Sequence, residues 1–116
     1  MGPGVDPHLY KATQSDLEKL SGADVIFYNG LHLEGKMTDI FVKMARTRPT
    51  VPVSGGVPPE ELREPPEFGG NYDPHIWFDV SLWIRAADVV TAELSRLDAA
   101  HAGEFAERAK GYRGKL

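Results

Sequence analysis

Two five-residue frames hold the side chains of this sequence best suited to chemistry: Asp6-Pro7-His8-Leu9-Tyr10 and Asp73-Pro74-His75-Ile76-Trp77. Each reads Asp-Pro-His, then an aliphatic residue, then an aromatic. Proline fixes its own φ and pushes the preceding Asp toward extended backbone. Each frame therefore presents a histidine just after a stiff, non-helical bend, with an aromatic able to bury one side of the imidazole. Neutral imidazole is a common ligand for zinc and other transition metals. Two histidines held this way on separate loops build a metal site at a cleft, provided that the two rings converge. A carboxylate beside a ligating imidazole accepts its other N–H and fixes its orientation, and Asp6 and Asp73 stand where they could do so. The alternative stays open: Asp-Pro is a frequent turn starter, and the frames could build turns only, with Trp77 filling core.

The elements that must position these residues are readable from spacing. Thr13 predicts a helix N-cap, with Asp16 in a capping-box position, Leu17 and Leu20 on the apolar face and Gly22 at the end. Val25-Ile26-Phe27-Tyr28 predicts a short buried strand. Met37, Ile40, Phe41, Met44 and Ala45 predict a helix over about 35–47, and Val51-Pro52-Val53 a second strand. Strand, helix, strand in that order suggests a parallel βαβ unit, placing the chain in the α/β class. His32 and Glu34 follow the first strand, at the end that faces the binding crevice in α/β sheets, and are candidates for the neighbourhood of the site. The bland reading makes them a helix-entry loop, with Glu34 favoured by the helix dipole. Residues 54–72, rich in Pro, Gly and acidic residues, read as a long loop. Asp79 predicts the N-cap of a helix to about Leu97 whose apolar face runs Leu82, Trp83, Ala86, Ala87, Val90, Leu94, Leu97. A last helix over about 100–113 carries Phe105, Ala109 and Tyr112 with no evident tertiary closure. His101 reads as a surface residue.

Bulk properties narrow the chemistry. With 116 residues the chain is one domain's worth or a piece of a larger one, and its net charge of −4 argues against a nucleic-acid partner. There is no cysteine, so thiolate metal sites and disulfides are excluded and His, Asp and Glu remain as ligands. No apolar run reaches the roughly 20 residues of a membrane span. The first four residues are turn material rather than a signal peptide, an expectation of a cytosolic chain as written. There is no Gly-x-Ser-x-Gly, no phosphate loop with its Lys, and no His-Glu-x-x-His.

The segments 2–10, 23–34 and 72–80, containing both Asp-Pro-His frames and Asn29-Gly30-Leu31-His32-Leu33-Glu34, resemble the metal-binding solute receptors of zinc and manganese ABC importers. The resemblance runs in order from Gly2 to about Leu97. It implies two α/β lobes joined by one long stiff helix, a metal held between them, an importer permease as partner, and a periplasmic or membrane-anchored extracellular location. It makes His8 and His75 the two ligands of the N-terminal lobe, with Asp6 and Asp73 supporting them; His32 falls where the family does not usually ligate. It also implies that residues 1–99 are most of an N-terminal lobe and 100–116 the start of the connecting helix. On this expectation the chain lacks the lobe's first strand and helix, the C-terminal-lobe ligands, the signal sequence and the lipid-attachment cysteine. The fold expected is thus a partial doubly wound parallel sheet with flanking helices. Two imidazoles alone bind zinc weakly, and an open sheet edge together with Phe105 and Tyr112 facing water favours self-association. Two other functions are set beside this one: a zinc-dependent hydrolase, for which Glu34 is the available general base, and a structural fragment without function.

Overall fold

The computed structural model describes residues 2–116; Met1, first residue of the turn expected over 1–4 and of the 1–99 lobe, lies outside the described residues. The chain forms two compact units, one ending at Pro52 and one running from Val53 to Leu116.

In the first unit, α1 (Gln14–Ser21) starts at Thr13 with the expected reciprocal cap: Thr13 Oγ1 accepts from Asp16 N–H, and the Asp16 carboxylate accepts from Thr13 N–H at 2.8 Å. Gly22 ends the helix in a right-handed conformation, so glycine's access to positive φ is not used there. The exposed carbonyls at that end are taken instead by Arg48, whose Nη1 donates to Leu20, Ser21 and Ala23 carbonyls. β1 (Ile26–Tyr28) pairs in parallel with β2 (Thr50–Pro52), Ile26 opposite Thr50 and Tyr28 opposite Pro52. Between them a 3-10 turn, Gly35–Met37, leads into α2 (Thr38–Met44). The helix expected over 35–47 is therefore shorter. Beyond Met44 the chain tightens through Arg46 N–H to Lys43 O and Thr47 N–H to Met44 O, which frees it to enter β2. The second strand lies one residue earlier than expected, because Val53 already belongs to the next turn. Ile26, Met37 and Phe41 are the buried centre of this unit, packed by Tyr10, Ala12, Leu20, Ala23, Tyr28 and Met44. The Tyr28 and Phe41 rings stack with centroids 4.3 Å apart.

In the second unit, the expected long loop resolves into single 3-10 turns at Val53–Gly56, Pro59–Glu61 and Pro66–Phe68, the last two opened by proline, which needs no N–H partner at a first helical position. A further turn, Ile76–Phe78, leads into α3 (Val80–Leu97). Asp79 caps α3 as expected, Oδ1 accepting from Ser81 N–H at 2.9 Å. Leu82 and Ala86 are the buried residues of α3. The 53–56 turn lies so close to α3 that a Cβ on Gly56 would sit 2.5 Å from Val89 Cγ2. After a turn at Ala99–His101, α4 (Ala102–Arg113) comes back along α3. Trp83 Nε1–H donates to Tyr112 Oη at 2.8 Å, and Arg113 pairs with Asp88. The expectation of an undocked last helix is thus corrected: Phe105 is half-buried in an apolar groove with Val90 and Leu94, and of the expected pair only Tyr112 stays exposed. Among the described residues no helix is long and apolar enough to cross a membrane.

Candidate metal centre

The second Asp-Pro-His frame is a built structure. Asp73 Oδ1 accepts from the His75 backbone N–H at 3.0 Å, closing an Asx turn over Pro74, and lies 2.6 Å from His75 Nδ1. These bonds hold the Asp73 carboxyl below the usual carboxylate range: first the His75 N–H, then the imidazole, with the charge of Arg63 adding to them. An ionised carboxylate has no proton to give, so Nδ1–H is the donor of this contact. A carboxylate on one ring nitrogen is a device by which ligating histidines are oriented toward a metal through the other.

The frame is held from both sides. Asp73 N–H donates to the Arg63 carbonyl at 2.8 Å, tying it to the preceding turns, and Ile76 is buried. The imidazole sits among rings, with Trp77 edge-on at 5.1 Å and Phe68 and Phe78 at 6.4 Å. The His75 side chain is 30% exposed and lines an open recess of about 320 Å³ with Leu62, Arg63, Asp73, Asp79 and Leu82. Arg63 also lowers Asp79, whose main stabilisation is the Ser81 hydroxyl and N–H. Arg63 and Phe68 were not singled out from sequence. Both come from the proline-rich stretch, where no local pattern says which side chains turn toward His75.

The first frame repeats the turn. Asp6 Oδ1 accepts from His8 N–H at 2.9 Å, and Leu9 N–H bonds the Asp6 carbonyl. His8 is half-buried, but Leu9, the counterpart of buried Ile76, is 67% exposed. Tyr10 is used elsewhere: its hydroxyl donates to Asp16 Oδ2 at 2.5 Å.

His32 and Glu34 occupy a turn after β1 in which Gly30, Leu31 and His32 all take positive φ, at 85°, 52° and 64°. Non-glycine residues seldom adopt this region, and two in succession need outside support. Glu34 supplies it, Oε1 accepting from Asn29 N–H at 2.7 Å and Oε2 from Gly30 N–H at 3.2 Å. Leu33, between them, is buried. The Glu34 carboxylate is therefore occupied by backbone rather than poised as a base. Burial, then the Glu34 charge, pushes the Tyr28 hydroxyl up. His32 is exposed. Buried Asn29, with Nδ2–H on the Gly30 carbonyl, is a support that sequence reading missed. His101, expected at the surface, is exposed with Nδ1 2.7 Å from Asp98. Among the described residues no group of three or more His, Asp or Glu is placed to hold one metal ion.

Comparison with known proteins gives this geometry its context. The model of zinc-uptake complex component A, periplasmic (ZnuA), matches residues 1–116. The chain is 47% identical over 116 residues to the manganese-binding lipoprotein MntA of Bacillus subtilis, covering all of this chain and 38% of that protein. It is 45% identical over 116 residues to the zinc-binding protein TroA of Treponema pallidum, covering all of this chain and 37% of TroA. The solved structure of the periplasmic zinc-binding protein TroA superposes with a TM-score of 0.92 over 98% of this chain and 40% of that one. The chain thus spans less than two fifths of the length of these curated relatives, and its fold is the α/β arrangement found there. With every residue matched by the family model and a curated relative almost half identical along the whole chain, this protein belongs to the zinc-uptake complex component A family of metal-binding transport receptors.

Proposed function

We propose that this chain is the metal-receiving part of the N-terminal lobe of an ABC-importer receptor, taking zinc or manganese as cargo. His8 and His75 supply imidazole ligands; Asp73 orients His75 through Nδ1, and Asp6 braces the His8 turn. The observation that carries this reading is the Asp73–His75 contact, which holds the imidazole by Nδ1 in a proline-braced frame. In the whole receptor, residues 1–99 belong to the lobe and 100–116 open the connecting helix. The importer's permease receives the cargo, and the location is periplasmic or membrane-anchored at the cell surface. The relatives are named for different metals, manganese for MntA and zinc for TroA. Imidazole-rich ligand sets suit zinc and carboxylates favour manganese, so the ligands beyond His8 and His75 decide.

This is binding, not catalysis. The hydrolase reading depended on Glu34, and that carboxylate already accepts two backbone N–H groups. Zinc titration of the wild-type chain, His8→Ala and His75→Ala tests the proposal. Each variant should lose at least tenfold in affinity. Equal titration of all three would leave a structural fragment as the remaining account.

A further inference from the structure

The stretch before His75 is pinned to α3 at one charged point. Arg85, on α3, donates from Nε to Glu61 Oε2 at 3.0 Å and from Nη2 to Glu61 Oε1 at 2.6 Å, a two-pronged fork. Such a fork fixes direction as well as distance, because the planar guanidinium meets both carboxylate oxygens at once. Glu61 closes the Pro59–Glu61 turn, with its own N–H on the Pro58 carbonyl and Leu62 N–H on the Pro59 carbonyl. Two residues on, the Arg63 carbonyl accepts the Asp73 N–H. Asp73 in turn holds both the backbone N–H and Nδ1 of His75. The same stretch delivers the Phe68 ring to the imidazole. An unbroken line of bonds therefore runs from the second turn of α3, through Glu61 and Arg63, to the orientation of His75. The Pro58-Pro59 and Pro65-Pro66 pairs stiffen the backbone along this stretch.

We propose that Glu61 and Arg85 are positioning residues for metal capture: their fork holds 59–73 against α3 and thereby fixes the His75 imidazole in its ligating orientation. This rests on the metal-receptor reading, in which His75 is a ligand. The pair touches no metal itself. Its effect is transmitted through Asp73, so its loss lets the ring sample other orientations and lowers affinity by raising the rate of metal release. The fork is half-exposed, with side chains 42% and 36% accessible, so added salt weakens it.

The test uses the full chain with zinc as the only added ligand. The variants are Glu61→Gln, Arg85→Lys, and the exchanged pair Glu61→Arg with Arg85→Glu. Arg85→Lys keeps the charge and loses the fork, so it serves if Glu61→Gln folds poorly. The first readout, without metal, is the ¹⁵N spectrum of the His75 ring. The wild type should show one protonated-Nδ1 tautomer, both single variants a mixed or broadened signal, and the exchanged pair a return toward the single form. The second readout is zinc affinity, expected to fall about 3–10-fold in the single variants and to recover to within about twofold in the exchanged pair. Single variants with a wild-type ring spectrum overturn the positioning role. So does an exchanged pair that folds but recovers neither readout. If the wild type binds zinc no better than His75→Ala, the receptor reading fails instead, while the ring spectrum still decides whether the fork orients His75.

Discussion

At the scale of single residues, one carboxylate oxygen does two jobs. Asp73 Oδ1 completes the Asx turn and holds the imidazole N–H. Asparagine in its place could keep the turn through its amide oxygen but would bring no charge to the ring. Asp73→Asn should therefore lower zinc affinity by about 10–100-fold, the usual cost of losing the partner that orients a ligand, with the fold intact by circular dichroism. Isothermal titration gives the affinity, and an unchanged value would show that the imidazole needs no help. Both frames were legible in the sequence because an Asx turn is a three-residue event. Arg63, Phe68 and Glu61 were not, since their roles depend on partners seven or more positions away.

At the scale of elements, legibility follows the same division. Thr13 and Asp79 announce α1 and α3 because a cap is made with residues two or three positions on. The single turns of 53–68 escaped notice, being short, proline-led and without a periodic apolar face. The docking of α4 on α3 was missed for another reason: Trp83 and Tyr112 each look like ordinary apolar-face residues until they meet. Gly22 marks the end of α1 as expected, and Arg48, distant in sequence, adds side-chain bonds to the Leu20 and Ala23 carbonyls there. The cap at Asp16 carries a pH prediction. The Tyr10 hydroxyl, then the Thr13 N–H and hydroxyl, bring the Asp16 pKa down to about 2 from the ordinary 3.8. A depressed carboxylate contributes stability that is complete above its unfolded value and disappears as pH falls through its folded one. The α1 cap should therefore hold at pH 5 and be lost between about pH 4 and 2. An NMR titration of the Asp16 carboxyl should give a midpoint near 2. In Tyr10→Phe the midpoint should move back toward the ordinary value, and no movement would mean that the 2.5 Å bond is not made in solution.

At the scale of the whole chain, ligand number decides what zinc does. Zinc sites with only protein ligands are nearly always four-coordinate. The proposed set, His8 and His75, fills two positions and leaves two for water or for another molecule. Beside each of these histidines stands a large exposed hydrophobic: Leu9 at 67% and Phe78 at 82%. A second chain can satisfy both demands together, since its two imidazoles complete the four while the apolar neighbours leave water. Burial is worth about 25 cal/mol per Å², so covering such side chains adds to what the metal contributes. The 116-residue chain alone should therefore dimerise on zinc. Light scattering should show the mass doubling at one zinc per two chains and reverting on chelation. Phe78→Ser should weaken the zinc-linked dimer several-fold at unchanged stoichiometry, and His75→Ala should abolish it. A chain that takes up one zinc and keeps its monomeric mass would show that water fills the open positions, and that the exposed Leu9 and Phe78 face something other than a copy of this chain.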